Sequence, residues 1–271
     1  MSKSNLDGPR GPAATALAGT ALITGASGGI GEEFARQLAA RGVNLVLVAR
    51  RAGTLHELRA ALLDRHPGLI VDVIPADLSQ PGSAAEVAGQ IHAAGRRIDV
   101  LINNAGVASH GPFADQDLQR LAGQIQLNVG SLTDLTARFL PPMLRARHGV
   151  VINVASTAAF QPVPTMAVYA ATKAFVRSFT EALWHETRGS GVRVLTLCPG
   201  ATETGFFTAA SQQPFMTRGR QTPQQVVTTA LAATGKTSPT VVSGRVNRLS
   251  SISSRFLPKR LALSLGQQFV Q

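Results

Sequence analysis

ALITGASGGIGEEFARQLAAR, residues 21–41, sets a short apolar run against a helix-forming run, with glycines at 25, 28, 29 and 31 between them. ALIT (21–24) reads as a buried strand and 29–41 as a helix. Glycine at the junction permits a tight turn and lets backbone approach a ligand closely. The helix start beyond it offers unpaired amide donors and a positive dipole end, which suit a pyrophosphate. The spacing Gly25-x3-Gly29-x-Gly31 is not the G-x-G-x-x-G fingerprint. Its place between a strand and a helix, at the start of a βαβ unit, separates a nucleotide loop from a plain structural turn. Gly25, Ser27, Gly29, Ile30 and Gly31 are therefore candidate cofactor contacts.

Outward from this unit the pattern repeats. VNLVLV (43–48), LIVDVI (69–74), IDVLIN (98–103), VVINVA (150–155), VRVLTL (192–197) and PTVVS (239–243) read as further strands. Helices are expected over 52–65, 81–95, 115–126, 128–147, 165–188 and 222–235. Strands apolar on both faces imply a parallel sheet covered by helices on both sides. The alternation implies an α/β, doubly wound fold. Residues 1–18 are expected to form a flexible tail, 19–245 the folded domain, 203–222 a substrate-covering segment and 246–271 a basic, leucine-rich helical extension.

Composition narrows the function. The chain has 271 residues and a net charge of +11, carried by dispersed lysines and arginines with no basic run interleaved with aromatics. That lacks the footprint of a nucleic-acid binder. Cys198, the sole cysteine, cannot form an intramolecular disulfide or a cysteine zinc cluster, which fits a cytoplasmic protein. HETRG (185–189) resembles a zinc helix motif but lacks the second histidine, so no metal is expected. The apolar stretch 13–23 runs directly into the glycine loop and is not expected to be a signal peptide. No segment reaches the roughly 20 apolar residues of a membrane-spanning helix.

The end of the second strand bears on cofactor choice. About 20 residues past such a glycine loop, an NAD site places an acid on the ribose 2′-hydroxyl. Here stand Arg50 and Arg51. A guanidinium grips a 2′-phosphate bidentately, which favours NADP(H), with Arg50 first after the strand. Asp77, followed by Leu78, is placed either to accept from an adenine amino group or to cap the next helix. NNAG (103–106) ends another strand, so Asn104, Ala105 and Gly106 fall where ligands collect.

Tyr169, the only tyrosine, stands four residues before Lys173 in YAATK, which places both on one helix face. A phenol beside an ammonium suits proton donation to a carbonyl, and the cation should lower the phenol's pKa. Ser156 closes the strand VVINVA without a G-x-S-x-G or triad context, so it is not expected to act as a nucleophile.

Together TGASGGIG, NNAG, Asn128 in LNVG, Ser156 and YAATK resemble the short-chain dehydrogenase/reductase family over about 20–243. The resemblance implies a Rossmann-type fold, with one seven-stranded parallel sheet ordered 3-2-1-4-5-6-7. It also implies a nicotinamide cofactor and a homodimer or homotetramer. By resemblance, Tyr169 is the general acid or base, Lys173 holds the nicotinamide ribose and Ser156 stabilises the substrate oxygen. Asn128 holds a water linked to Lys173, and Pro199, Gly200 and Thr202 lie by the nicotinamide. Phe206, Phe207, Phe215 and Met216 suggest an apolar cover for a lipophilic carbonyl or alcohol substrate. Leu257, Leu261 and Leu265 in the basic tail suit packing, a partner subunit or an acidic membrane surface. The expected activity is NADP(H)-dependent carbonyl reduction or alcohol oxidation. Its rivals are epimerisation or dehydration on the same scaffold, and an NADPH sensor without turnover.

Overall fold

Seven strands carry the fold: β1 (Thr20–Thr24), β2 (Asn44–Ala49), β3 (Val71–Pro75), β4 (Val100–Asn103), β5 (Gly149–Val154), β6 (Val192–Cys198) and β7 (Thr240–Val242). In this computed structural model, which describes residues 17–206 and 220–253, they form one parallel sheet in the order 3-2-1-4-5-6-7. This is the doubly wound, Rossmann-type sheet expected from the sequence.

The helices among the described residues are α1 (Gly29–Ala39), α2 (Ala52–Arg65), α3 (Ser83–Ala93), α4 (Leu118–Ile125), α5 (Leu132–Ala146), α6 (Ala167–Glu186), α7 (Pro223–Ala233) and α8 (Arg245–Ser253). They cover both faces of the sheet. Neighbouring strand residues point to opposite faces. Ile23, Leu45 and Leu47 pack with Phe34 and Leu38 of α1, Leu55 of α2 and Val226 of α7. Leu22, Val46 and Leu101 pack on the other face with Val87 and Ile91 of α3 and Leu135 of α5. Each of these side chains is fully buried, a contribution of about 1.5–3 kcal/mol apiece before the opposing entropy.

Several boundaries shift by two or three residues from expectation, and two differences have clear local reasons. β3 starts at Val71 rather than Leu69, because Leu69 N–H closes a turn onto His66 O and leaves Ile70 half-exposed. The helices expected over 115–126 and 128–147 are joined by a π-helical turn, Gln126–Ser131, so the glycine at 130 causes no break. The N-terminal tail to residue 16, Phe207, Phe215, Met216 and the leucines at 257, 261 and 265 lie outside the described residues.

The register Thr24↔Val48 and Ile23↔Ile102 brings the carboxyl ends of β2, β1 and β4 to one edge. β1 is where the strand order reverses, and the connections leave there in opposite directions, opening a crevice.

Candidate active site

A cleft of about 1140 Å³ runs along this edge from the glycine loop to the start of α6. Its floor at one end is the β1–α1 turn. Gly25 and Gly29 have φ of +67° and +55°, a region that favours glycine. A Cβ on Gly31 would overlap the carbonyl oxygen of Gly25, so only glycine lets the first helical turn fold onto the loop. No side chain caps α1, whose first amides are therefore available to an anion. A pyrophosphate fits this chemistry.

Arg50 and Arg51 both reach the cleft and both are exposed. Arg51 is the one that touches the glycine loop: its Nη2 donates to Ser27 O at 2.7 Å and to Ser27 Oγ at 3.2 Å. Arg50 has no such bond among the described residues and remains available to a ligand. Asp77 also lines the cleft, yet its Oδ1 accepts from Ser79 N–H at 3.0 Å and Ser79 Oγ at 2.7 Å. One carboxylate oxygen thus serves the local turn rather than capping the next helix, whose N-cap is Gly82 with no side-chain cap, and the residue still faces the cleft.

The end of β4 is tied to the end of β1 by a residue the motifs gave no role. Thr24 Oγ1 accepts from the backbone N–H groups of Asn104 and Ala105 and donates to Ile102 O. Asn104 Nδ2 donates back to Thr24 O at 2.8 Å. Asn128 lies behind this segment, 1% exposed. Its Oδ1 accepts from Val107 N–H at 3.0 Å, and its Nδ2 donates to Val107 O at 2.9 Å and Thr172 Oγ1 at 3.0 Å. A Cβ on Gly106 would stand 3.2 Å from Asn128 Oδ1 and 3.4 Å from Lys173 Nζ. Asn128 thus fixes the strip of backbone between itself and the lysine.

At the far end β5 and α6 meet. Ser156 Oγ accepts from Ala158 N–H at 3.1 Å, which leaves its own proton to donate. Tyr169 and Lys173, on the same face of α6, are 6% and 4% exposed. Lys173 Nζ donates to Val154 O at 2.8 Å and lies 5.9 Å from the centre of the Tyr169 ring. Burial lowers the Lys173 ammonium to about 8. Burial pushes the Tyr169 phenol up to about 12, opposed by its hydrogen bond with Ser156. The expectation that Lys173 would lower the phenol's pKa is thus corrected: desolvation outweighs a cation already given to a backbone carbonyl. Cys198 is fully buried and its thiol is raised to about 12, chiefly by that burial, so it stays a protonated apolar filler.

The chain after β6 closes over the cleft. Pro199, Gly200 and Thr202 line it. Thr204 Cγ2 would stand 2.7 Å from a Cβ on Gly29, so this segment lies directly on the glycine loop. The Phe206 ring centre is 5.8 Å from that of Tyr169, at 51°. Of the candidate residues, Gly31 and Asn128 do not line the cleft; every other one does. Thr24, Thr204 and the α4 residues Gln119 and Arg120 are additions from the structure, as is the bond from Arg51 to the glycine loop. Among the described residues no three His, Cys, Asp or Glu side chains form a metal-holding group, and no helix is long and apolar enough to cross a membrane.

The short chain dehydrogenase family model matches residues 19–214. Serine 3-dehydrogenase of Agrobacterium fabrum is 35% identical over 191 residues, covering 70% of this chain and 74% of that protein. A short-chain dehydrogenase from Sphingobium yanoikuyae, solved in complex with NADPH, superposes with a TM-score of 0.79 at 33% identity, covering 88% of this chain and 93% of that one. The bulky-bulky ketone specific alcohol dehydrogenase from Comamonas testosteroni gives 0.74 at 31% identity, with the same coverage of 88% and 93%. The family model covers most of the chain and the sheet order is that of a Rossmann-type fold, so the chain belongs to the short-chain dehydrogenase/reductase family of oxidoreductases.

Proposed function

We propose that this chain is an NADP(H)-dependent reductase acting on a lipophilic ketone or aldehyde, or on the matching alcohol in reverse. The observation that carries it is one continuous cleft with an anion-binding helix start and two arginines at one end, and Ser156, Tyr169 and Lys173 at the other. Gly25, Ser27, Gly29 and Ile30 would hold the pyrophosphate, Arg50 the 2′-phosphate, Asp77 and Leu78 the adenine end. Asn104, Ala105 and Gly106 would line the middle, and Pro199, Gly200 and Thr202 the nicotinamide end. NADPH, when bound, supplies the hydride.

The Ser156 hydroxyl, which also hydrogen-bonds Tyr169, turns its O–H to the carbonyl oxygen as a hydrogen-bond donor, which polarises the bond and holds the developing charge. Tyr169, held protonated by its burial, gives its proton to that oxygen as it becomes an alkoxide. The Lys173 ammonium, fixed on Val154 O, stabilises the phenolate left behind. Asn128 acts indirectly, by holding Val107 and Thr172 beside the lysine. Phe206 presents an apolar face next to the phenol, which suits a lipophilic substituent on the carbonyl. The Sphingobium complex with NADPH and the Comamonas enzyme for bulky ketones support this substrate and cofactor class.

The test is NADPH oxidation, followed at its absorbance band, against a panel of ketones and aldehydes of increasing size. Turnover that favours bulky ketones and NADPH over NADH is expected. Tight NADPH binding with no turnover on any carbonyl would make the protein a sensor instead.

A further inference from the structure

α8 lies beyond the last strand and contributes nothing to the cleft's lining, yet it reaches the cleft through one side chain. Gly244, with φ +89°, turns the chain so that Asn247 faces back toward the sheet. Asn247 Nδ2 donates to Ser243 O at 2.8 Å and to Gln221 Oε1 at 3.4 Å. Gln221 in turn is zipped to the segment after β6. Its N–H donates to Ala201 O at 2.9 Å, and its carbonyl accepts from Glu203 N–H at 2.9 Å. The same Asn247 amide lies flat on Gly200: a Cβ there would overlap Nδ2 and stand 2.7 Å from Cγ and 2.8 Å from Oδ1. Those three atoms are the nearest neighbours such a Cβ would meet, and Gly200 is not in the left-handed region.

We infer that Asn247 is a positioning residue for the nicotinamide end of the cleft, setting the height of the Gly200–Thr202 backbone through Gly200 contact and the Gln221 clip. The path is short. Asn247 supports Gly200 and Gln221; Gln221 fixes Ala201 and Glu203; the next residues, Thr204 and Phe206, rest on Gly29 and Tyr169. α8 also lies against the turn Thr157–Phe160, which begins at Ser156. The role rests on the dinucleotide reading of the cleft given above.

The test is a two-residue swap in the full chain, read by NADPH dissociation constant and by kcat and KM with a ketone from the panel. Asn247→Ala should weaken NADPH binding about three- to ten-fold, the loss of one or two neutral hydrogen bonds, with a melting temperature close to the parent's. Gly200→Ala should do more damage, because its methyl meets the Asn247 amide. In Asn247→Ala/Gly200→Ala that obstacle is gone, and binding should recover to the level of Asn247→Ala alone. A double variant no better than Gly200→Ala, or an Asn247→Ala protein that binds and turns over like the parent, would overturn the role. Both results are read on binding, so they stand whether or not a ketone is reduced. A parent protein that binds neither NADPH nor NADH would sink the functional reading, and this role with it.

Discussion

Lys173 Nζ donates a hydrogen bond to the carbonyl oxygen of Val154 at 2.8 Å, which fixes its ammonium beside the Tyr169 ring. This single bond places a cation at the carboxyl end of β5, within reach of both the phenol and Gly106. Lys173 is also a buried cation whose pKa the fold lowers, and its linkage to pH can be measured.

Lys173 has a folded pKa of about 8 against an ordinary 10.5. Between those values the unfolded chain holds a proton that the folded chain does not, so stability rises as pH goes from about 8 to about 10.5. Lys173→Met should abolish that rise while being no less stable at pH 7. Thermal melts of both proteins from pH 7 to 10 check it. The stability difference between them should close by up to about 3 kcal/mol, the value of the shift in free energy. Tyr169 works in the opposite sense only above about pH 10, where its ordinary pKa lies.

The same two groups set the activity profile. In the proposed mechanism, ketone reduction needs Tyr169 protonated and Lys173 charged. The phenol stays protonated across the neutral range, so the rate should be flat below about pH 8 and fall above it as Lys173 loses its proton. A plot of kcat/KM for reduction against pH, between 6 and 10, reads this directly. A rate that climbs through pH 8 would remove Lys173 from the role of stabilising the phenolate.

Arg50 and Arg51 are adjacent in sequence but differ in what they hold. Arg51 spans the glycine loop through Ser27, whereas Arg50 lines the cleft with no such bond among the described residues and is the proposed 2′-phosphate contact. Arg50→Ala should therefore erode the NADPH over NADH preference by about ten- to a hundred-fold, the loss of a charge-assisted bond. Arg51→Ala should weaken both cofactors alike. Kinetics with each cofactor separate the two effects.

Phe206 packs against the Tyr169 ring, the proton donor of the proposed mechanism. Phe206→Ala should raise KM for bulky ketones about three- to ten-fold, in line with the loss of an aromatic contact, and change KM for a small aldehyde less. The comparison of the two substrates is the check.

Much of this was legible in the residues. Strands apolar on both faces, such as VLV at 46–48, admit one arrangement, a parallel sheet under two helical layers. The glycine loop and YAATK, both plain in the sequence, lie at the two ends of the cleft. Long-range polar pairings were not legible. Thr24 meets Asn104 and Ala105 across about eighty positions, and Asn247 meets Gln221 across 26. Neither bond leaves a periodic trace in sequence. The pKa of Tyr169 was misjudged for a related reason. Spacing shows that Lys173 is near, but not that burial is deep or that Val154 O already takes the ammonium.

The most direct measurement of the central claim is single-turnover oxidation of bound NADPH by Tyr169→Phe with the best ketone, beside its NADPH dissociation constant. The account predicts a rate lower by at least about a thousand-fold, in the range of a lost general acid, with NADPH binding within a few-fold of the parent. A variant that binds NADPH normally and transfers hydride at near the parent's rate would contradict it.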